Sequence, residues 1–107
     1  MTPTAIVGIG QTPVGEHWES GLRDLAREAI RAALDDAGLE RVDAVYVGNA
    51  FGATISSQSH LGALIADFAG LKGAETFTIE AAEASGGAAL RAGILAAASG
   101  MVETVLV

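Results

Sequence analysis

The sequence predicts an α/β domain whose mostly parallel sheet is wound in the order β-α-β-α-β-α-β, with helices on both faces. Three observations carry this. Short β-branched apolar runs alternate with segments of helical periodicity, and most of the helical segments close on a glycine. Aromatic residues make up only 5% of the chain against 14 glycines, so the core is built from Ala, Val, Leu and Ile with backbones packed closely, as layered helix-on-sheet domains require. The length of 107 residues suits one core, a single domain spanning residues 1–107.

Taken in order, residues 4–9 (TAIVGI) read as a buried first strand closed by Gly10. Leu22, Leu25, Ala26, Ala29, Ile30, Ala33 and Leu34 then share one stripe, while Arg23, Asp24, Arg27, Glu28 and Arg31 face elsewhere. That is an amphipathic helix, with Ser20 placed to cap its first amides and Gly38 to end it in the left-handed conformation. Residues 42–48 (VDAVYVG) form the second strand, and residues 49–59 (NAFGATISSQS) a polar loop. Leu61, Leu64, Ile65 and Phe68 mark a helix over 60–69 that stops at Gly70, and residues 76–80 (TFTIE) form the third strand. Residues 84–100 carry a single charge, Arg91, which predicts a helix buried on most sides. Residues 102–107 (VETVLV) form a fourth strand, an apolar edge that further strands or a partner chain are expected to cover.

Composition narrows the function. A net charge of −7 with six scattered basic residues excludes a phosphate-backbone partner, so no nucleic acid is expected. No apolar run approaches the roughly 18–20 residues of a membrane span, and the amino terminus lacks a signal-peptide pattern; a soluble cytoplasmic protein is the expectation. The absence of cysteine removes disulfides and thiol catalysis, and His17 and His60 lack metal-ligand spacing, so no metal is expected. Gly8 and Gly10 resemble the start of a dinucleotide fingerprint, but the third glycine would fall on Pro13 and the first helix starts too late to meet a pyrophosphate. A plain turn role is left for both.

The informative segment is residues 78–90 (TIEAAEASGGAAL), where a strand runs through small residues directly into a helix. The side chain at the junction is Glu83, presented at a helix amino terminus, a place that stabilises negative charge and offers free amides to an oxyanion. Gly86 and Gly87 would let a ligand or a neighbouring backbone come close. Glu80 reads as a buried partner in a hydrogen-bond network or as the exposed end of a strand, the structural role being favoured; Arg91 reads as a snorkelling or interface residue rather than a phosphate ligand, and His17 and Trp18 as packing over the core or a partner. The Ser56–Gln58 stretch and Ser59 form either an interface or a solvated loop.

On these residues the chain resembles the thiolase superfamily, above all the archaeal and actinobacterial thiolases and the thiolase domain of sterol-carrier-protein-x type. The resemblance runs through residues 5–12 (AIVGIGQT), 22–39 (LRDLAREAIRAALDDAGL), 42–49 (VDAVYVGN), 61–71 (LGALIADFAGL) and 79–97 (IEAAEASGGAALRAGILAA), nearly the whole chain. It implies the amino-terminal half of a five-layered αβαβα fold with two similar halves. It also implies coenzyme A thioesters as substrates in lipid metabolism, no covalently bound cofactor, and either a homo-oligomer or a missing carboxy-terminal half as partner. In that family a cysteine at the position of Glu83 accepts the acyl group.

A carboxylate is a far poorer acyl acceptor than a thiolate, and the anhydride it would form hydrolyses readily, so thiolysis should be lost. Three readings of Glu83 stay open: an inactivated thiolase, a base in a related carbon–carbon cleavage such as an aldolase or lyase step, and a carboxylate that only satisfies the helix terminus. A self-assembling or partner-completing thiolase-fold module is compatible with each.

Overall fold

The computed structural model describes residues 1–107. The elements are α1 (Leu22–Ala37), β1 (Ala44–Gly48), α2 (Gly52–Ile55), α3 (Leu61–Phe68), β2 (Glu75–Ile79), a single 3-10 turn (Ala82–Ala84), α4 (Ser85–Ser99) and β3 (Val105–Leu106). The sheet is three-stranded and wholly parallel in the order β2-β1-β3. β1 pairs with β2 along its full length, from Ala44 opposite Glu75 to Gly48 opposite Ile79, but with β3 only at Ala44 and Val45.

Alternation along β1 assigns the two faces. Val45 belongs to the main core with Ile30 and Leu34 of α1, Leu61, Ile65 and Ala66 of α3, and Ala69 and Leu71 beyond it. Burying each of the large aliphatic side chains stabilises the fold by about 1.5–3 kcal/mol. The other face carries Ala44 and Tyr46, and α4 covers it; the Tyr46 ring meets Phe77 edge-on at 5.3 Å between centroids. Burial and a hydrogen bond donated to Glu75 (2.6 Å) push the Tyr46 phenol up to about 12. An α/β half-domain with helices on both faces is therefore what the chain forms. No helix is long and apolar enough to cross a membrane.

Several expectations need correction. Residues 4–9 are not a strand. β3 occupies the second edge of β1, and the amino-terminal segment lies outside the sheet, held by the Ile9 amide on the Asp36 carboxylate (2.9 Å) and the Thr2 amide on the Ala98 carbonyl (3.0 Å). Gly8 and Gly10 are not turn residues: a Cβ on Gly8 would come within 2.5 Å of the Ala33 carbonyl oxygen, and one on Gly10 would strike that of Ala29, so both allow the segment to lie against α1.

The amino-terminal cap of α1 is Gly21, not Ser20; Asp24 reaches back to accept the Gly21 amide at 2.9 Å, while Gly38 ends the helix at φ 68° as expected. The 49–59 loop contains the short helix α2, whose start is organised by the Asn49 side chain accepting the amides of Phe51 (3.1 Å) and Gly52 (2.6 Å). The fourth strand shrinks to two residues because the Asp43 carboxylate captures the amides of Glu103 and Thr104, both at 2.9 Å, and so fixes the entry to β3; those bonds hold the carboxyl below its usual range. Finally, α4 buries only Ser85, Ala89, Gly93 and Ala98, and leaves Leu90, Ile94 and Leu95 exposed. Its apolar composition conceals two faces.

Candidate functional site

The carboxyl ends of β1 and β2 meet the amino terminus of α4, the crevice where parallel α/β sheets place their ligands. β2 stops at Ile79, whose carbonyl accepts the Asn49 amide (3.1 Å), and the chain then turns sharply into α4. Gly48 allows this approach. A Cβ there would lie 2.8 Å from the Ser85 carbonyl carbon and 3.0 Å from the Gly86 Cα, with the Ser85 carbonyl oxygen closer still.

The turn itself is strained. Ala82 sits at φ 48° in the left-handed region, which costs a residue with a Cβ about 1–2 kcal/mol. Five hydrogen bonds hold it there, one of them from the Ser85 backbone amide to the Ala82 carbonyl. The Ala82 amide donates to the Glu80 carboxylate, and the Ala84 amide to the Ala81 carbonyl at 2.9 Å. The Ala81 amide donates to the Ser85 hydroxyl oxygen at 2.9 Å, and that hydroxyl donates onward to the Ala82 carbonyl at 2.7 Å. Ser85 is buried, while Glu80, Ala81, Ala82 and Glu83 are all exposed.

Glu83 occupies the middle of the 3-10 turn, two residues before α4. It is thus presented to solvent at the mouth of a fifteen-residue helix, whose first amides have no partners within the helix. A Cβ on Gly86 or Gly87 would meet nothing within 4 Å, so no backbone of this chain presses on them and the first turn of α4 is open on that side.

Glu80 is exposed, one residue past the end of β2, and its carboxylate braces the turn by accepting the Ala82 amide. Arg91 is exposed on α4. The histidines and Trp18 belong elsewhere: His17 bonds the Pro13 carbonyl at 2.6 Å, His60 is the left-handed residue that starts α3, and Trp18 is 87% exposed rather than packed on the core. Ser85 and the left-handed Ala82 were not visible as site residues in the sequence. A serine among Ala and Gly looks like helix filler, although a hydroxyl in the first turn after a strand is the signal that could have found it.

The profile of the thiolase amino-terminal domain ("Thiolase, N-terminal domain") matches residues 4–107. The chain belongs to this family. It is 45% identical over 108 residues to an acetyl-CoA acetyltransferase of Methanothermobacter thermautotrophicus and 43% identical over 109 residues to one of Methanocaldococcus jannaschii. Those alignments take in 99% and 100% of this chain but 28% of each relative, so the thiolase-family chain spans little more than a quarter of their length. Among solved structures it resembles 3-oxoacyl-(acyl carrier protein) synthase III, FabH, from Pseudomonas aeruginosa PAO1. There the TM-score is 0.71 and the identity 32%, over 81% of this chain and 26% of that one.

Proposed function

We propose that the chain is the amino-terminal part of a thiolase-type acyltransferase that handles coenzyme A thioesters, with Glu83 at the acyl-acceptor position and thiolysis consequently lost. The observation that supports this reading is the placement of residue 83 on a strained, exposed turn between the end of β2 and the mouth of α4. A side chain held there meets a thioester carbonyl with the free amides of α4 nearby, and those amides favour the charge that develops on the carbonyl oxygen. A thiolate in this position would displace coenzyme A and carry the acyl group. The Glu83 carboxylate is a weak nucleophile, and its acyl adduct is an anhydride open to water.

A thiolysis assay with acetoacetyl-coenzyme A tests the reading: the chain should show no turnover, and measurable turnover dependent on Glu83 would overturn it. Restoring the thiol by Glu83→Cys should allow transfer of an acetyl group from acetyl-coenzyme A to the new side chain.

A second, compatible reading makes the chain a module completed by a second copy or by a carboxy-terminal half. It is favoured by the small core, 16 of 107 residues, set against exposed Ile6 (75%), Ile9 (74%) and Ile94 (44%). Sedimentation velocity at micromolar concentration should show association; a well-behaved monomer would count against it.

A further inference from the structure

The hydroxyl of Ser85, the first residue of α4, bonds back into the turn before the helix rather than capping it. It accepts from one side of the turn, at the Ala81 amide, and donates to the other, at the Ala82 carbonyl, so it ties together the two residues that precede Glu83. It does this from a buried position, 5% exposed, with Gly48 pressed against its own carbonyl. The Ser85 backbone is therefore fixed by the sheet, and its side chain transfers that fixity to an otherwise exposed loop. Without the relay, the Ala81 amide loses its partner, and the turn keeps the Ala84 amide on the Ala81 carbonyl, the Ser85 amide on the Ala82 carbonyl and, as its one side-chain brace, the exposed Glu80 carboxylate.

We propose that Ser85 is the positioning residue of this site, holding Ala82 in its left-handed conformation so that the side chain at 83 projects beside the first turn of α4. The inference rests on the reading of residue 83 as the acyl-acceptor position, but its structural half can be measured independently. In a relaxed turn the side chain at 83 would sample orientations away from the α4 amides and lose their electrostatic support.

Two measurements test it. In the natural chain, the Ala81 amide should be protected from hydrogen exchange although its residue is exposed. Ser85→Ala should abolish that protection while leaving the Ala89 amide unchanged, and Ser85→Thr, which keeps the hydroxyl, should retain it. In the Glu83→Cys background, the pH profile of iodoacetamide alkylation reports the thiolate. Ser85→Ala should move that profile to higher pH and slow alkylation at neutral pH by about three- to tenfold, and Ser85→Thr should restore it.

An unprotected Ala81 amide in the natural chain would overturn the proposal. So would an alkylation profile that Ser85→Ala leaves unmoved while lowering the melting temperature, since that is the signature of a merely structural serine. If both measurements succeed but the Glu83→Cys chain takes no acetyl group from acetyl-coenzyme A, the positioning role stands and the acyl-acceptor reading falls.

Discussion

Two neighbouring glycines at the candidate site should respond to alanine in opposite directions. At Gly48 the new methyl would sit 2.8 Å from the Ser85 carbonyl carbon and closer still to its oxygen, where ordinary contact begins at 3.4 Å, so β1 and α4 must separate locally by more than about 0.6 Å. The three nearest atoms are all backbone of the first turn of α4, so no flexible side chain end can yield to relieve the strain. Overpacking of this kind costs about 1–3 kcal/mol, or roughly 5–15 °C of melting temperature in a domain of this size. At Gly86 the methyl meets nothing within 4 Å, and replacing a helical glycine by alanine should stabilise by up to about 1 kcal/mol, a rise of a few degrees. Thermal unfolding followed by far-ultraviolet circular dichroism compares Gly48→Ala, Gly86→Ala and the parent under one condition. A Gly48→Ala melt within about 2 °C of the parent, or a shift of both variants in the same direction, would refute the claim that the sheet clamps the start of α4.

The remaining predictions concern charge. The phenol of Tyr46, the only tyrosine, titrates near 12 rather than 10; tyrosinate absorbance should show this, and Glu75→Gln should bring the value down. Because the folded value is raised, the stability Tyr46 contributes is complete below pH 10 and is lost as pH climbs towards 12, which alkaline unfolding can follow. Asp43 runs the other way. Its folded value is depressed by the Thr104 and Glu103 amides, so its contribution is present above pH 3.8 and disappears as pH falls through the lower folded value. Denaturant unfolding of Asp43→Asn should therefore show a deficit at neutral pH that narrows in acid; an undiminished deficit at low pH would contradict the assignment.

How far the fold was legible depended on whether local signals decided each element. α1 and α3 carry helical spacing, and Gly38 and Gly70 both take positive φ where a stop was expected. β1 and β2 differ from their predicted ranges by only a residue or two at an end. Residues 4–9 have strand propensity and yet pair with nothing in the sheet, because strand propensity measures fit to a pleated surface, and here the segment lies against α1, with β3 rather than residues 4–9 beside β1. α4 was misjudged for a related reason. An all-apolar composition cannot say which face is covered, and here the buried stripe is made of the smallest residues while Leu90, Ile94 and Leu95 face out.

At the site, the position of Glu83 at a strand-to-helix junction was readable, since the change from alternating to helical pattern brackets it. The left-handed Ala82 was not. Alanine carries no signature of positive φ, and its conformation is imposed by partners at Glu80 and Ser85 rather than by its own preference.

The central claim, that the turn at 83 is an acyl-acceptor position disabled by a carboxylate, is tested most directly by intact-protein mass spectrometry after incubation with acetyl-coenzyme A. The natural chain should remain unmodified, and the Glu83→Cys chain should gain a single acetyl group, mapped by peptide digestion to position 83 and formed faster than on a free cysteine at the same pH. Acetylation of the natural chain at Glu83, or a Glu83→Cys thiol no more reactive than free cysteine, would contradict it.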